Sequence, residues 1–313
     1  MAVQTPAAAT RPARARAPRR MQWATLLWSA AKTPRGAIGL ALTLIVAGIA
    51  IVGPFVTPYS PDALVSTVFA KPSAHFLFGT DYIGRDVLSR VLAGGWVLLV
   101  MALAATAIGV GAGALIGMSA AYLRGLTDGI LMRAVDVLLA FPQLVLALLL
   151  LALIGPKLWL IVLAVGVSHA PQVARVVRSA TLDISERDYV KVAELQGTRP
   201  LKIMGREILP NLVAPLMVEA GLRLTYSIVI IAGLAFLGFG LPPPAANWGT
   251  MINENRLGLT LNPWAVVIPA LIIAVLTIGT NTFTDAIARV AIGVERKPEQ
   301  SALISDLGSG VAE

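Results

Sequence analysis

Gly36-Ala-Ile-Gly-Leu-Ala-Leu-Thr-Leu-Ile-Val-Ala-Gly-Ile-Ala-Ile-Val-Gly-Pro-Phe-Val56 runs for 21 residues without a charge. As a helix rising about 1.5 Å per residue it covers roughly 31 Å, the thickness of a bilayer's hydrocarbon core. The same pattern recurs downstream. Charge-free runs occupy residues 91–123, 137–156, 158–174, 224–253 and 257–284. The longer ones include loop residues, so six membrane-spanning helices are expected. The run at 158–174 is the shortest of them. The fifth helix is expected to begin near Leu212, which leaves Glu219 and Arg223 within the membrane layer. Across the chain 57% of residues are hydrophobic and 13% charged, with a mean hydropathy of +0.78. That composition excludes a soluble globular domain.

There is no cysteine, so disulfides, thiolate metal sites and cysteine nucleophiles are all excluded. The net charge is +8. In a membrane protein this points to topology rather than to nucleic acid, because orientation follows the distribution of Lys and Arg. Nineteen cations fall before residue 36, near Arg124 and Arg133, between Arg175 and Arg206, and from Arg289 onward, whereas Lys71, Arg85, Arg90, Lys157 and Arg256 fall on the other side. Both termini are therefore expected in the cytoplasm. Residues 1–20 read as a disordered basic arm against anionic lipid, and 21–35 as a short interfacial helix with Trp23, Leu26, Leu27 and Ala30 at helical spacing. Residues 36–56 form the first span and 57–90 an external segment. A core at 91–292 contains a cytoplasmic loop at 172–211, and 293–313 form a cytoplasmic tail. A cleaved export signal is the alternative for the N-terminal region, but the apolar stretch is too long and lacks a small-residue cleavage site.

Within the spans, Gly109, Gly113 and Gly117 strip one face of the second helix for close packing. Pro142 is expected to kink the third helix. Arg133 and Asp136, three apart, are expected to neutralise one another. His169 beside Pro171 reads as a structural histidine, not a metal or haem ligand.

The loop at 172–211 is too long and too patterned for a simple connection. Residues 188–196 have helical character, Gly197 supplies a C-terminal stop, and Pro200 suits the first turn of a second helix. Leu201, Met204 and Ile208 form an apolar stripe that Pro210 ends. The pattern fits either an exposed helix–turn–helix that needs a protein partner or an amphipathic loop resting on lipid.

Tyr189-Val-Lys-Val-Ala-Glu-Leu-Gln-Gly197, with Ile203 and Ile208-Leu-Pro-Asn211, resembles the EAA loop of ABC importer permeases. His75-Phe-Leu-Phe-Gly-Thr-Asp-Tyr-Ile-Gly-Arg-Asp-Val-Leu-Ser-Arg90, Arg133-Ala-Val-Asp136 with Phe141-Pro142, Phe236-Leu-Gly-Phe-Gly240, Pro242-Pro243, Asn247-Trp-Gly249, and Asn281 with Asp285 are similar to segments of the second-type permease of dipeptide, oligopeptide and nickel importers. These stretches follow the family's order from about residue 36 to 292.

The resemblance implies an all-α polytopic protein with six transmembrane helices in a type I ABC importer (MetI-like) bundle, in a bacterial cytoplasmic membrane. It implies a first-type permease as heterodimer partner, two ATPase domains, separate or fused, and an extracytoplasmic substrate-binding protein. It also implies that Tyr189, Val192, Ala193, Gly197, Leu201, Met204 and Pro210 make the ATPase-coupling surface. The cargo implied is a dipeptide or oligopeptide, with nickel chelates, glutathione or another peptide-like compound as alternatives. Lys191 and Val192 replace the usual Glu and Ala, and Ile231 stands where relatives commonly carry Glu. Glu219 and Arg223 fit either a self-neutralising pair near the cytoplasmic end or a polar contact on the translocation path, to which Asn281 and Asp285 are added. No G-x-x-x-x-G-K-[ST] phosphate loop occurs, so ATP and Mg are expected on partner subunits, with no cofactor, metal or catalytic residue in this chain. An ion-coupled secondary transporter would show repeated halves and several intramembrane charges, and a membrane enzyme would show a catalytic cluster. Neither pattern is present.

Overall fold

The computed structural model describes residues 23–293. The basic arm at 1–20 and all but the first residue of the 293–313 tail lie outside the described residues. Within them the chain is helical, with two isolated bridges, Leu64 to Arg85 and Thr80 to Asp86, in place of strands.

A short helix α1 (Trp23–Ala31) leads through Thr33, whose side chain accepts from the Gly36 amide, into α2 (Pro34–Val52). Proline at the first position lacks the donor a helix start leaves unused, so α2 begins two residues before the apolar run. In α1, Leu26 and Ala30 are buried; Ala30 packs with Phe283, Ala286 and Ile287, whereas Trp23 points outward with Trp28. Trp23 therefore turns away from the face shared by Leu26 and Ala30. Lys32 Nζ stands 4.9 Å above the Trp28 ring, an arrangement suited to a membrane interface.

After the 57–90 segment come α3 (Val87–Ala93) and α4 (Trp96–Leu123), then α5 (Gly125–Leu139), α6 (Gln143–Ile154) and α7 (Leu158–Ser185). Two short helices follow, α8 (Asp188–Leu195) and α9 (Pro200–Ile203). The chain then enters α10 (Val213–Leu234), α11 (Trp248–Asn255) and α12 (Trp264–Ile292). Five spans are long and apolar enough to cross a membrane, and α5 with α6, bent by 83° at their junction, brings the number to six if the pair is one span. Five to six spans agree with the expected six, and the third of them is broken rather than kinked. Its helix stops at Leu139, and Pro142, at φ −58° and ψ 129°, becomes the cap from which α6 restarts.

The shortest apolar run proves to belong to one of the longest helices. α7 passes through Pro171 and continues to Ser185, so the part of the 172–211 loop before Glu186 is an extension of this span. The reason lies in α4. A Cβ on Gly113 would sit 2.7 Å from the Ala170 carbonyl oxygen, and one on Gly117 would sit 2.5 Å from that of Ala174. The bare glycine face lets the two backbones touch along their length, and this contact accompanies α7 past Pro171 into its charged end. Arg178 adds a bidentate pair to Asp128 of α5 at 2.6 Å. Asp136 pairs with Arg175 of α7 at 2.6 Å, not with Arg133, because packing brings α7 alongside α5.

The 57–90 segment folds with α11 into a cap at one end of the bundle. Asp81 Oδ2 lies 2.6 Å from Arg85 Nε and 3.5 Å from Arg90 Nε. Glu254 Oε2 lies 3.2 Å from Arg85 Nη2 and 3.1 Å from Arg90 Nη2. Asp81 also accepts from the Ile83 and Arg85 amides, and Arg90 donates to the Pro244 carbonyl. The two acids and two bases are almost wholly buried and balance in charge. Trp248 closes the cap, buried with its indole donating to the Val91 carbonyl at 2.8 Å.

Candidate functional site

Two regions hold the residues singled out by sequence. The first is the loop after α7. Glu186 is paired with Arg124, at the end of α4, and with Lys191 Nζ at 3.1 Å. These two cations hold its carboxyl below the usual range. α8 then runs to Leu195 and ends on Gly197 at φ +70°, a left-handed conformation that glycine adopts without strain. The Gly197 amide donates to Glu194 O and the Thr198 amide to Ala193 O, the paired bonds of a Schellman stop. α9 begins at Pro200, and a wider turn at Met204–Ile208 and a tight one at Leu209–Asn211, which contains Pro210, bring the chain to α10.

One face of this helix pair is a base. Val190, Ile203, Met204, Ile208 and Leu212 are buried together with Val173, Val177 and Ile184 of α7 and Ala114 and Met118 of α4. Tyr189 and Ala193 pack against the rim of that cluster. The other face is bare. Leu195 and Leu201 are 88% and 82% exposed, and Val192 is half exposed. The structure thus divides the predicted residues. Val192 and Leu201 are presented outward, Met204 is part of the base, Tyr189 and Ala193 support it, and Gly197 sets the turn. The apolar stripe of Leu201, Met204 and Ile208 does not exist as a surface, because the turn at Met204 rotates the last two inward. Leu195 was missed, although it follows Val192 at a spacing of three.

The second region lies among the spans. Arg223 Nε is 3.2 Å from Glu219 Oε2. The angle does not make a hydrogen bond, and both atoms are buried with no hydrogen-bond partner. Arg223 also donates to Gln172 Oε1 of α7, and its guanidinium carbon lies 5.3 Å from the Tyr226 ring centre. Gln143 of α6 donates to the Ser168 carbonyl at 2.9 Å. Gln143, Gln172, Glu219, Arg223 and Tyr226 line a hollow of about 320 Å³. Arg223 lies ten residues into α10, about 15 Å along the helix from its start. Isolated glutamines in apolar runs were the signal for Gln143 and Gln172. Asn281 and Asp285 are exposed on α12 and line neither this hollow nor the loop base. His169, fully buried, takes Ser227 Oγ at 3.0 Å, and no metal-binding cluster occurs among the described residues.

Residues 113–291 match the family described as the inner membrane component of binding-protein-dependent transport systems. The chain is 39% identical over 254 residues to a putative peptide transport system permease protein of Brucella suis, covering 81% of this chain and 86% of that one. It is 34% identical over 268 residues to the dipeptide transport system permease protein of Haemophilus influenzae, covering 83% and 91%. A glutathione transport system permease protein of Pectobacterium atrosepticum is 33% identical over 253 residues, covering 80% and 84%. Among solved structures, an inward-facing methionine ABC transporter aligns with a TM-score of 0.49 at 19% identity, over 67% of this chain and 97% of that one.

Proposed function

The chain belongs to the inner membrane components of binding-protein-dependent transport systems, and from that membership we propose that it forms half of an import pathway for dipeptides or oligopeptides. A first-type permease supplies the other half, two ATPase domains holding ATP and Mg drive it, and a substrate-binding protein delivers cargo on the outer side. The names of its relatives favour peptides, and glutathione or another peptide-like compound remains within the same chemistry. The cation distribution supports an orientation with the α8–α9 loop in the cytoplasm and the 57–90 cap outside.

One observation carries the coupling role. Val192, Leu195 and Leu201 project from a base that is itself locked into α4 and α7. Exposed leucines on a rigid support are suited to a groove in another protein, because they are held in place before contact and lose little freedom on docking. Nucleotide-driven closure of the ATPase domains pushes on this face, and the α4–α7 seam transmits the displacement into the bundle. Glu219 and Arg223 lie on the path that cargo follows.

The test is the purified complex in nanodiscs carrying Leu195→Asp and Leu201→Asp. Both side chains are exposed, so folding of this subunit is expected to persist while the ATPase is lost on purification or hydrolysis no longer drives uptake. Unchanged assembly, hydrolysis and uptake would sink the coupling assignment.

A further inference from the structure

Between Leu139 and Gln143 the backbone leaves the helix where the apolar helices α5 and α6 meet at 83°. Non-helical backbone at membrane depth persists only where protein covers it or where it lines a water-filled cavity. Here a hollow of about 290 Å³ opens at the break, lined by Phe141, Pro142, Gln143, Ser168 and Gln172 among others. Gln143 and Gln172 also line the hollow that contains Glu219, Arg223 and Tyr226, so the two spaces adjoin. The restarted helix α6 enters this region with no side chain capping its N-terminus. Its first amides and the positive end of its dipole are left for an anionic group.

The resident ion pair is poorly bonded. Glu219 and Arg223 are each 7% exposed, yet Glu219 Oε2 and Arg223 Nε have no hydrogen-bond partner despite their proximity. A pair held only for neutrality gains from saturating its remaining lone pairs and protons, since buried charge is otherwise expensive. This pair instead leaves unused hydrogen-bonding capacity beside a polar hollow. Opposite charges four residues apart, uncharged amides from two other helices and an uncapped helix start together match a small molecule bearing both a carboxylate and an ammonium.

Resting on the importer reading above, we infer that this hollow is a subsite for zwitterionic cargo. The cargo carboxylate meets Arg223 and the N-terminus of α6, and its ammonium meets Glu219. Gln143 and Gln172 bond to the main-chain amide between them. The Tyr226 ring keeps the guanidinium in place while its partner changes. When cargo leaves, Glu219 and Arg223 return to one another, so neither charge is stranded at any stage.

The experiment uses proteoliposomes of the whole complex with its binding protein and a panel of free-ended dipeptides. The double variant Glu219→Gln with Arg223→Gln removes both charges and keeps the volume. Uptake per ATP hydrolysed is expected to fall at least about tenfold, which corresponds to about 1.4 kcal/mol. Uptake within about twofold of the unaltered complex shows only a self-neutralising pair and overturns the subsite. Should the double variant fail to assemble, Gln172→Leu decides, because it keeps both charges. A rise in KM of about threefold or more supports the subsite, and an unchanged KM overturns it. If the unaltered complex carries no dipeptide at all, it is the cargo assignment that fails, and the subsite goes with it.

Discussion

The cap and the middle of the bundle each bury opposite charges, but they do so in contrasting ways. In the cap, Asp81, Arg85, Arg90 and Glu254 form a closed set in which each acid meets two guanidinium groups and backbone groups take up further bonds. Burial pushes the Glu254 carboxyl up, opposed by its two arginine neighbours. In the bundle, Glu219 and Arg223 form a single pair with unused hydrogen-bonding atoms against a hollow. The four cap groups, each paired twice, tie the 57–90 segment to α11 and act as a clamp, although Arg90 Nε, like Arg223 Nε, has no hydrogen-bond partner. An undersaturated pair can trade partners at smaller cost. Charge burial alone does not separate the two regions, whereas the number of ion pairs each charge makes does: two for every charge in the cap and one for Glu219 and Arg223.

The contrast is tested most severely by Arg90→Met. It strips a partner from both Asp81 and Glu254, and breaking a buried pair in this way typically costs about 3–5 kcal/mol. Thermal unfolding of the assembled complex is expected to shift downward by several degrees, and an unshifted transition would mean that the cap is no clamp. The double variant Glu219→Gln with Arg223→Gln sits lower on the scale. Removal of both partners of a buried pair is often nearly neutral, so stability is expected to stay within about 1 kcal/mol while uptake falls. Equal losses of stability and uptake would erase the distinction between the two regions.

The smallest effect belongs to the exposed tether of Glu186 with Arg124 and Lys191. Its carboxyl is depressed, so the tether's contribution is present above the ordinary carboxylate range and is lost as pH falls through the lower folded value. A spin label at position 195 is expected to gain mobility only as pH falls below the ordinary carboxylate range, with the fold intact. Mobility that changes near neutral pH would point to some other titrating group.

Much of the architecture was legible from residue order. Apolar runs of the right length marked the spans, because a bilayer imposes a minimum length that no soluble core requires. The two helices of the loop and the Gly197 stop were also legible, since caps and turns depend on neighbours within a few residues. The direction in which Met204 and Ile208 face was not, because the wider turn at Met204–Ile208 breaks the regular spacing on which a stripe depends.

Sequence by itself determined that this chain lives in a membrane, where its apolar spans lie, and that it carries a patterned helix–turn–helix loop. Those features follow from composition and short-range periodicity. Only the tertiary structure decided that Asp136 answers to Arg175, that Pro142 breaks a span while Pro171 does not, and that Glu254 completes a charge set begun at Asp81. In each case the deciding partner comes from another helix, at a distance along the chain that no local pattern encodes. It is the packing of α5 alongside α7 and of α11 on the 57–90 segment that brings these partners within reach.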